Sequence, residues 1–449
     1  MPARRFPRWS LLLGLACAAA GQAQTAAQWR AAQFAAADRA ERIMHEADRR
    51  HGLLAQYLAM MDALQASDPK DRAFDLVFSQ YLAWYQSYVG DYPHAQASFS
   101  VQESLQPGDR PSPLDAGYAA VPALEAIPAL ARNYRAVFLN EAHHIPLTRS
   151  LTVQLLAKLR AEGFDYFAAE TLYPDDAQLQ ARGYPTAASG FYTREPVCAE
   201  MVRTALKLGF KVVAYEAGDG GSDDARERAQ ARNLYERVFG RDPAARLVVD
   251  AGYAHIVEEG PYLGGASMAE HFRAISGIDP LTVEQTMLIP HPDAAQDHPY
   301  YTAAVQRLHP QAPVAFLRDG RPWALRAGYD VSVLFPPPRL RRGRPDWLAL
   351  GGLRRPYFVS GEVPCRGDYP CLVEARYAGE GDDAIPADRL LFDPPPPRPP
   401  PRDRPRPAGG ATAGELYLRP GRYELVFSDR DGRRLARWRI DVPGGGAAR

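Results

Sequence analysis

Between residues 118 and 320 the chain alternates short apolar runs with longer amphipathic stretches. The runs are AVFLN (136–140), YFAAE (166–170), KVVAYEA (211–217) and RLVVDAG (246–252), followed by candidate strands in TVEQTMLI and PVAFLR. Apolar runs too short for helices, separated by segments of helical length, are the signature of βαβ units and a parallel sheet. Between the first two runs, PLTRSLTVQLLAKLRAEGF puts Leu151, Leu155, Leu156 and Leu159 on one helical stripe and stops at Gly163. EPVCAEMVRTALKLGF repeats the pattern, with Gly209 as its stop.

The flanks follow other periods. Residues 25–105 carry apolar positions at helical spacing, from Trp29, Phe34 and Ile43 through AFDLVFSQYLAWYQSYVGDYPHAQASF. One piece of this resembles half a tetratricopeptide hairpin, but a single copy reads as an ordinary helical hairpin packed on the main domain. LQPGDRPSPLDAG (105–117) is turn chemistry throughout and marks a boundary. Beyond residue 320 come short alternating strands, the last two joined by an Asp-Gly turn in SDRDGRRL. The predicted fold is therefore α/β, a mainly parallel sheet flanked by helices, with an N-terminal helical segment and a small C-terminal antiparallel β domain. The expected divisions are 24–117, 118–320 and 321–449, the last with a proline-rich insertion at 393–407 that cannot form helix or sheet.

Basic and acidic residues balance at 53 each, so no global field favours nucleic acid or an anionic membrane. The first residues read as a secretory signal: basic MPARRFPR, apolar WSLLLGLACAAA too short to span a bilayer, then GQAQ, with cleavage near Ala23. Cys17 lies in that run without the leucine expected three residues before a lipidated cysteine. No other stretch is long and apolar enough to cross a membrane, so the expectation is an exported protein, periplasmic or secreted. Cys365 and Cys371 in PCRGDYPC are close enough for a small-loop disulfide in an oxidising compartment, and Cys198 reads as a buried, inert thiol on a helix.

The chemistry gathers at the strand ends. The first strand ends in Glu141, His143 and His144, the second in Glu170, the third in Glu216, and the fourth carries Asp250 followed by GYAHI with Tyr253 and His255. In an open parallel sheet these carboxyl ends share one edge, where ligands bind. Such a cluster suits general base catalysis by a carboxylate or imidazole, or a divalent cation held by His143, Glu170 and His255. His143 and His144 cannot easily both face the crevice, since successive side chains alternate. Glu170, at the end of an apolar strand, requires a partner; a structural one would be Arg149 or Arg228. Asp250 could cap the following turn, Glu258 and Glu259 read as a solvated charge pair, and His271 and the histidines of IPHPDAAQDHPYY carry no spacing argument. GPYLGGAS (260–267) follows no convincing strand, and there is no G-x-S-x-G elbow, phosphate loop or H-E-x-x-H.

Assembled in order, these positions resemble the superfamily of Tiki-type proteases, TraB-like proteins, erythromycin esterases and ChaN-type haem-binding proteins. NEAHH is similar to its G-E-x-H motif, AAE to its second glutamate, RERAQARNL (226–234) to its R-D-x-x-M-A-x-N-L helix, and VVDAGYAHI to its G-x-x-H strand. The likeness covers roughly residues 118–290. It departs at Asn140, where the family has glycine, and at Gln230, where it has methionine. The resemblance implies active-site roles for Glu141, His143, Glu170, Arg226 and His255, with His144 an alternative to His143.

The leading expectation is a hydrolase of an ester or amide in a small molecule or peptide. Glu141 and His143 would activate water, Arg226 would stabilise negative charge, and His144, Glu216 and Tyr253 would contact substrate. Zinc or manganese is the metal expected if His143, Glu170 and His255 bind one. The alternatives are a ChaN-like haem carrier with Tyr253 or a histidine as axial ligand, and a cell-envelope scaffold with a degenerate site.

Overall fold

A computed structural model describes residues 25–217, 223–393 and 412–444. The expected signal peptide, with Cys17, and all but the first residue of the expected proline-rich insertion lie outside the described residues. Among the described residues four helices come first: α1 (Ala26–Asp48), α2 (Leu53–Gln65), α3 (Arg72–Tyr88) and α4 (Tyr92–Ser98). Thr25 and Gln28 close a reciprocal cap on α1, and the Asp71 side chain caps α3, satisfying amides that lack helical partners.

The middle of the chain runs β1 (Ala119–Pro122), α5 (Ala123–Ala131), β2 (Ala136–Glu141), α6 (Leu147–Ala161), β3 (Tyr166–Ala169), α7 (Leu179–Arg182), α8 (Pro196–Lys207) and β4 (Lys211–Ala214). It continues with α9 (Asp223–Leu234), β5 (Leu247–Gly252), α10 (Met268–Ser276), β6 (Leu281–Leu288), α11 (Pro299–Leu308), β7 (Val314–Arg318), β8 (Arg321–Pro322) and β9 (Val331–Leu334). Together the strands make one nine-stranded sheet in the order β1-β7-β9-β6-β2-β5-β3-β4, with β8 paired to β7. The pairs among β9, β6, β2, β5, β3 and β4 are parallel, and those made by β7 are antiparallel. The sheet thus extends past residue 320. WALRAGYDVSVLF, expected in the C-terminal domain, instead supplies the buried strand β9.

One face of the sheet packs on α5, α6 and α8 in a core that continues without a break into α1–α4. The other face packs on α9, α10 and the π-helical turn after α9. The N-terminal helices are therefore part of the main body: Trp84 and Tyr88 of α3 meet Phe191 edge to face. No helix among the described residues is long and apolar enough to cross a membrane.

The rest forms antiparallel sheets. After the small hairpin of β10 (Leu340–Arg341) and β11 (Arg344–Pro345) come β12 (Arg355–Ser360), β13 (Cys371–Tyr377), β14 (Asp388–Phe392), β15 (Ala413–Leu418), β16 (Gly421–Ser428) and β17 (Arg434–Val442). The β12–β15 pair packs on the sheet β14-β13-β16-β17 through Val359, Leu416, Val373, Leu425 and Phe427. The Cys365–Cys371 disulfide is formed at the edge of this core, and Cys198 is buried and unbridged.

Candidate functional site

Four neighbouring strands, β2, β5, β3 and β4, bring the predicted residues to one edge. β2, β3 and β5 are buried throughout, the edge strand β4 is half-buried, and polar residues gather at the carboxyl ends; in a parallel sheet those ends are necessarily side by side. Glu141 is the last residue of β2, Glu170 directly follows β3, Glu216 lies two residues past β4, and His255 follows Gly252, the end of β5. Helix α9 crosses above them, and the two acidic residues of its first turn complement the positive end of the helix.

The first unit is built on Glu141. Its Oε1 accepts hydrogen bonds from His143 Nδ1 at 2.6 Å and Arg149 Nη2 at 2.9 Å, and all three side chains are buried. Burial pushes the Glu141 carboxyl up, but the Arg149 guanidinium and His143 bring it below its ordinary value. Arg149 also donates through Nη1 to the His143 carbonyl at 3.1 Å, so one guanidinium fixes both ends of the dyad. The imidazole stacks on Tyr192 with ring centroids 4.0 Å apart, and its edge meets Tyr253.

The second unit is built on α9. Glu227, fully buried, accepts from His255 Nδ1 at 2.7 Å and from the Met268 amide at the start of α10 at 2.8 Å. Burial lowers the His255 pKa, yet Glu227 and Glu170 together carry it above the ordinary histidine value. The Tyr262 ring lies edge-on to this imidazole at 5.3 Å, so GPYLGGAS is a cover over His255.

Glu170 stands between the two units. Its Oε2 accepts the Gly252 amide at 2.6 Å; its Oε1 lies 3.1 Å from Arg226 Nη2 and 3.6 Å from His255 Nε2. Burial raises this carboxyl, but His255, His143 and Arg226 hold it down to about 2, so it is ionised in any physiological buffer. Its partner is Arg226; Arg149 serves Glu141, and Arg228 forms an exposed pair with Asp224. Arg226 is itself clamped by Glu216 through Nε at 3.1 Å and Nη2 at 2.6 Å. Gln230 donates to Glu216 at 3.0 Å and adds a polar clamp.

Asp250 lies beneath. Burial and the Glu141 charge push it far above the usual carboxylate range, and Thr152 donates to it at 3.4 Å; it is a buried acid under the site rather than a turn cap.

His144 points away from the crevice. Its Nε2 donates to the Phe99 carbonyl at 2.7 Å, leaving Nδ1 to accept from the Tyr253 hydroxyl at 3.3 Å. Burial depresses its pKa to about 4, which fixes it as neutral. His144 and Tyr253, expected at the substrate, thus tie the loop after α4 to the loop after β5. Glu258 is also not solvated: it accepts from Thr282 at 2.7 Å, and burial raises it to about 7. His271, set aside in the sequence, pairs with Asp224 at 2.8 Å.

Asn140 uses its whole side chain. Oδ1 accepts the Gln285 amide at 2.6 Å and Nδ2 donates to the Tyr253 carbonyl at 2.8 Å, while the Asn140 carbonyl takes Gln285 Nε2 at 2.6 Å. The β2–β6 ladder ends at Leu139 and Val283, and the Asn140 side chain continues it. It also holds Tyr253 in the left-handed region, at φ 45°.

The expected metal set, His143, Glu170 and His255, does not fit a cation as arranged. Arg226 lies against both Glu170 and His255, with Nη1 3.5 Å from His255 Nε2, and so fills the position a metal would take. Among the described residues no group of three or more His, Cys, Asp and Glu side chains is arranged to hold a metal ion.

Sequence reasoning missed Glu227, Tyr192 and Tyr262, and weighed Arg149 only against Glu170. Glu227 was accessible: positions 227, 230, 231 and 234 are the buried face of α9. Tyr192 had no such signal, because it lies in a short turn outside any strand or long helix.

No family model matches the sequence, and no curated protein matches it. Among solved structures it is similar to the type III effector HopBA1, at 13% identity and a TM-score of 0.28 over 42% of this chain and 95% of that one. It is also similar to RRSP, a MARTX toxin effector domain from Vibrio vulnificus CMCP6, at 16% identity and a TM-score of 0.28 over 57% of this chain and 45% of that one. A third is the C-terminal region of Pasteurella multocida toxin, at 12% identity and a TM-score of 0.27 over 56% of this chain and 30% of that one.

Proposed function

We propose that the protein is an exported hydrolase of the Tiki, erythromycin esterase and ChaN-like kind, cleaving an ester or amide by histidine-activated water. The observation that carries the reading is the pair of imidazoles, each with Nδ1 engaged by a buried carboxylate and each acting on Glu170. A carboxylate on Nδ1 sets the tautomer and supports the imidazolium that forms on proton uptake.

In this reading His143 Nε2 takes a proton from water as the oxygen attacks the carbonyl carbon. The oxyanion that forms is stabilised by Arg226, which Glu216 and Glu170 hold in place. As the tetrahedral species collapses, the carbon–oxygen or carbon–nitrogen bond breaks, and His255, its pKa raised, gives its proton to the leaving group. Glu170 keeps both imidazoles at one place and favours the charged form of His255. No step needs a metal. The Cys365–Cys371 disulfide supports export, because such bonds persist in oxidising compartments.

The test is a screen of ester and amide substrates on the full chain beside His143→Gln, His255→Gln and Glu170→Gln. The reading expects turnover by the wild type that falls by on the order of 10²-fold or more in each variant. Turnover that survives in both histidine variants would remove it.

A further inference from the structure

Helix α8 meets the C-terminal sheets through a buried cluster of charges that is separate from the crevice. Glu200, in the middle of α8, is fully buried, and four basic side chains act on it: Arg354, Arg419, Arg203 and Lys207. Arg354 precedes β12, Arg419 lies in the turn between β15 and β16, and Tyr377, the last residue of β13, donates to Glu200 Oε2 at 2.9 Å. Arg203 and Lys207 lie over the Tyr377 ring at 4.9 and 5.0 Å. The second acid present is Glu380, which takes Arg203 through Nε at 2.8 Å and Nη2 at 2.6 Å.

The acceptors run out before the donors do. Glu200 Oε1 takes Arg419 Nε, and Oε2 takes Tyr377 and lies 3.1 Å from Arg354 Nη2. Arg354 Nε and Nη1, and Arg203 Nη1, are buried with no hydrogen-bond acceptor among the described residues, although both side chains are completely enclosed. A guanidinium cannot lose its proton to escape burial, so its unmet donors require an acceptor from outside the chain. Water could accept, but the enclosed Arg354 and Arg203 with the largely buried Arg419 stand against two carboxylates, Glu200 and Glu380, and the exposed Lys207 adds to this excess of positive charge from the rim. That excess favours an acceptor carrying negative charge.

We propose that the joint between α8 and the C-terminal sheets binds one small inorganic anion, a halide or a tetrahedral oxyanion, on Arg354 and Arg203 with Lys207 beside it. The anion stabilises the docking of the β domain on the catalytic layer, and it does not depend on the hydrolase reading.

The test is thermal unfolding of the full chain at constant ionic strength, with sodium gluconate replaced stepwise by chloride, phosphate or sulfate. Gluconate is too large for an enclosed site. A saturable rise in the unfolding temperature of about 2 °C or more with one of these anions is expected, and the anion that acts at lower concentration identifies the halide or oxyanion class. Arg354→Met should abolish the rise, and Lys207→Gln, at an exposed position that tolerates change, should move its midpoint to higher anion concentration. Equal unfolding temperatures in gluconate, chloride, phosphate and sulfate would overturn the proposal and assign the unmet donors to water. So would an undiminished response in Lys207→Gln together with Arg354→Met.

Discussion

His143 occupies the space that a side chain at Gly252 would need: a Cβ there would stand 2.3 Å from His143 Cε1, 2.6 Å from its Nε2 and 3.1 Å from Glu170 Oε2. Gly252 has an ordinary φ of −73°, so the backbone does not require glycine. The demand is for room, because the imidazole and Glu170 converge on this point of the strand end.

In the hydrolase reading, Gly252→Ala should therefore fold and lose activity. A methyl group would push the His143 ring off the Glu141–Glu170 line by about an ångström, a displacement worth on the order of 10²-fold in rate. Near-wild-type unfolding temperature with hydrolysis reduced to that extent is the expected pair of results. Full activity in the folded variant would show that His143 does not need this position.

Asn140→Gly tests the brace at the end of β2. The substitution removes the acceptor of the Gln285 amide and the donor to the Tyr253 carbonyl, and it adds backbone freedom at the end of β2. A loss of about 2–3 kcal/mol in urea unfolding is expected. Activity should fall or stay level. A gain in activity would mean that the asparagine blocks the crevice rather than bracing it.

The parallel sheet and the gathering of Glu141, Glu170, Glu216 and His255 were legible because parallel topology brings the carboxyl ends of the strands to a shared edge. What lay hidden was the second layer. Which arginine serves which glutamate depends on where α6 and α9 cross the sheet, and that is set by packing, not by local pattern. Glu258 looked solvated because its neighbour Glu259 is charged too, yet only one of the two turns inward against Thr282. The extension of the sheet to β9 was hidden for a similar reason: a four-residue strand reads alike whether its partner is β6 or a strand of a separate domain.

Glu227→Gln addresses the His255 dyad. Glu227 raises the His255 pKa by its charge and by accepting from Nδ1. The amide keeps an acceptor oxygen but removes the charge, so the His255 pKa should drop. Titration of the imidazole by NMR reads this directly. In the hydrolase reading, the high-pH limb of the rate profile moves down with it, since His255 must hold its proton to serve the leaving group. An unmoved imidazole pKa would make Glu227 a cap of α10 and nothing more.

His144 gives the stability of the whole protein a predictable pH dependence. Folding lowers its pKa from 6.5 to about 4, because burial penalises the charged ring by more than the hydrogen bond to the Phe99 carbonyl favours it. The unfolded chain takes up a proton near pH 6.5 and the folded chain does not. The contribution is complete above about pH 6.5 and is lost as pH falls through about 4. Glu170, held at about 2 against an ordinary 4.5, adds a separate loss below about pH 4.5. The two windows are distinguishable with His144→Gln, which should be less stable than wild type at pH 7 but show a flatter decline between pH 6.5 and 4.5. Parallel declines in the two proteins across that interval would show that another group governs it, and that the tie between the loop after α4 and Tyr253 does not rest on a neutral imidazole.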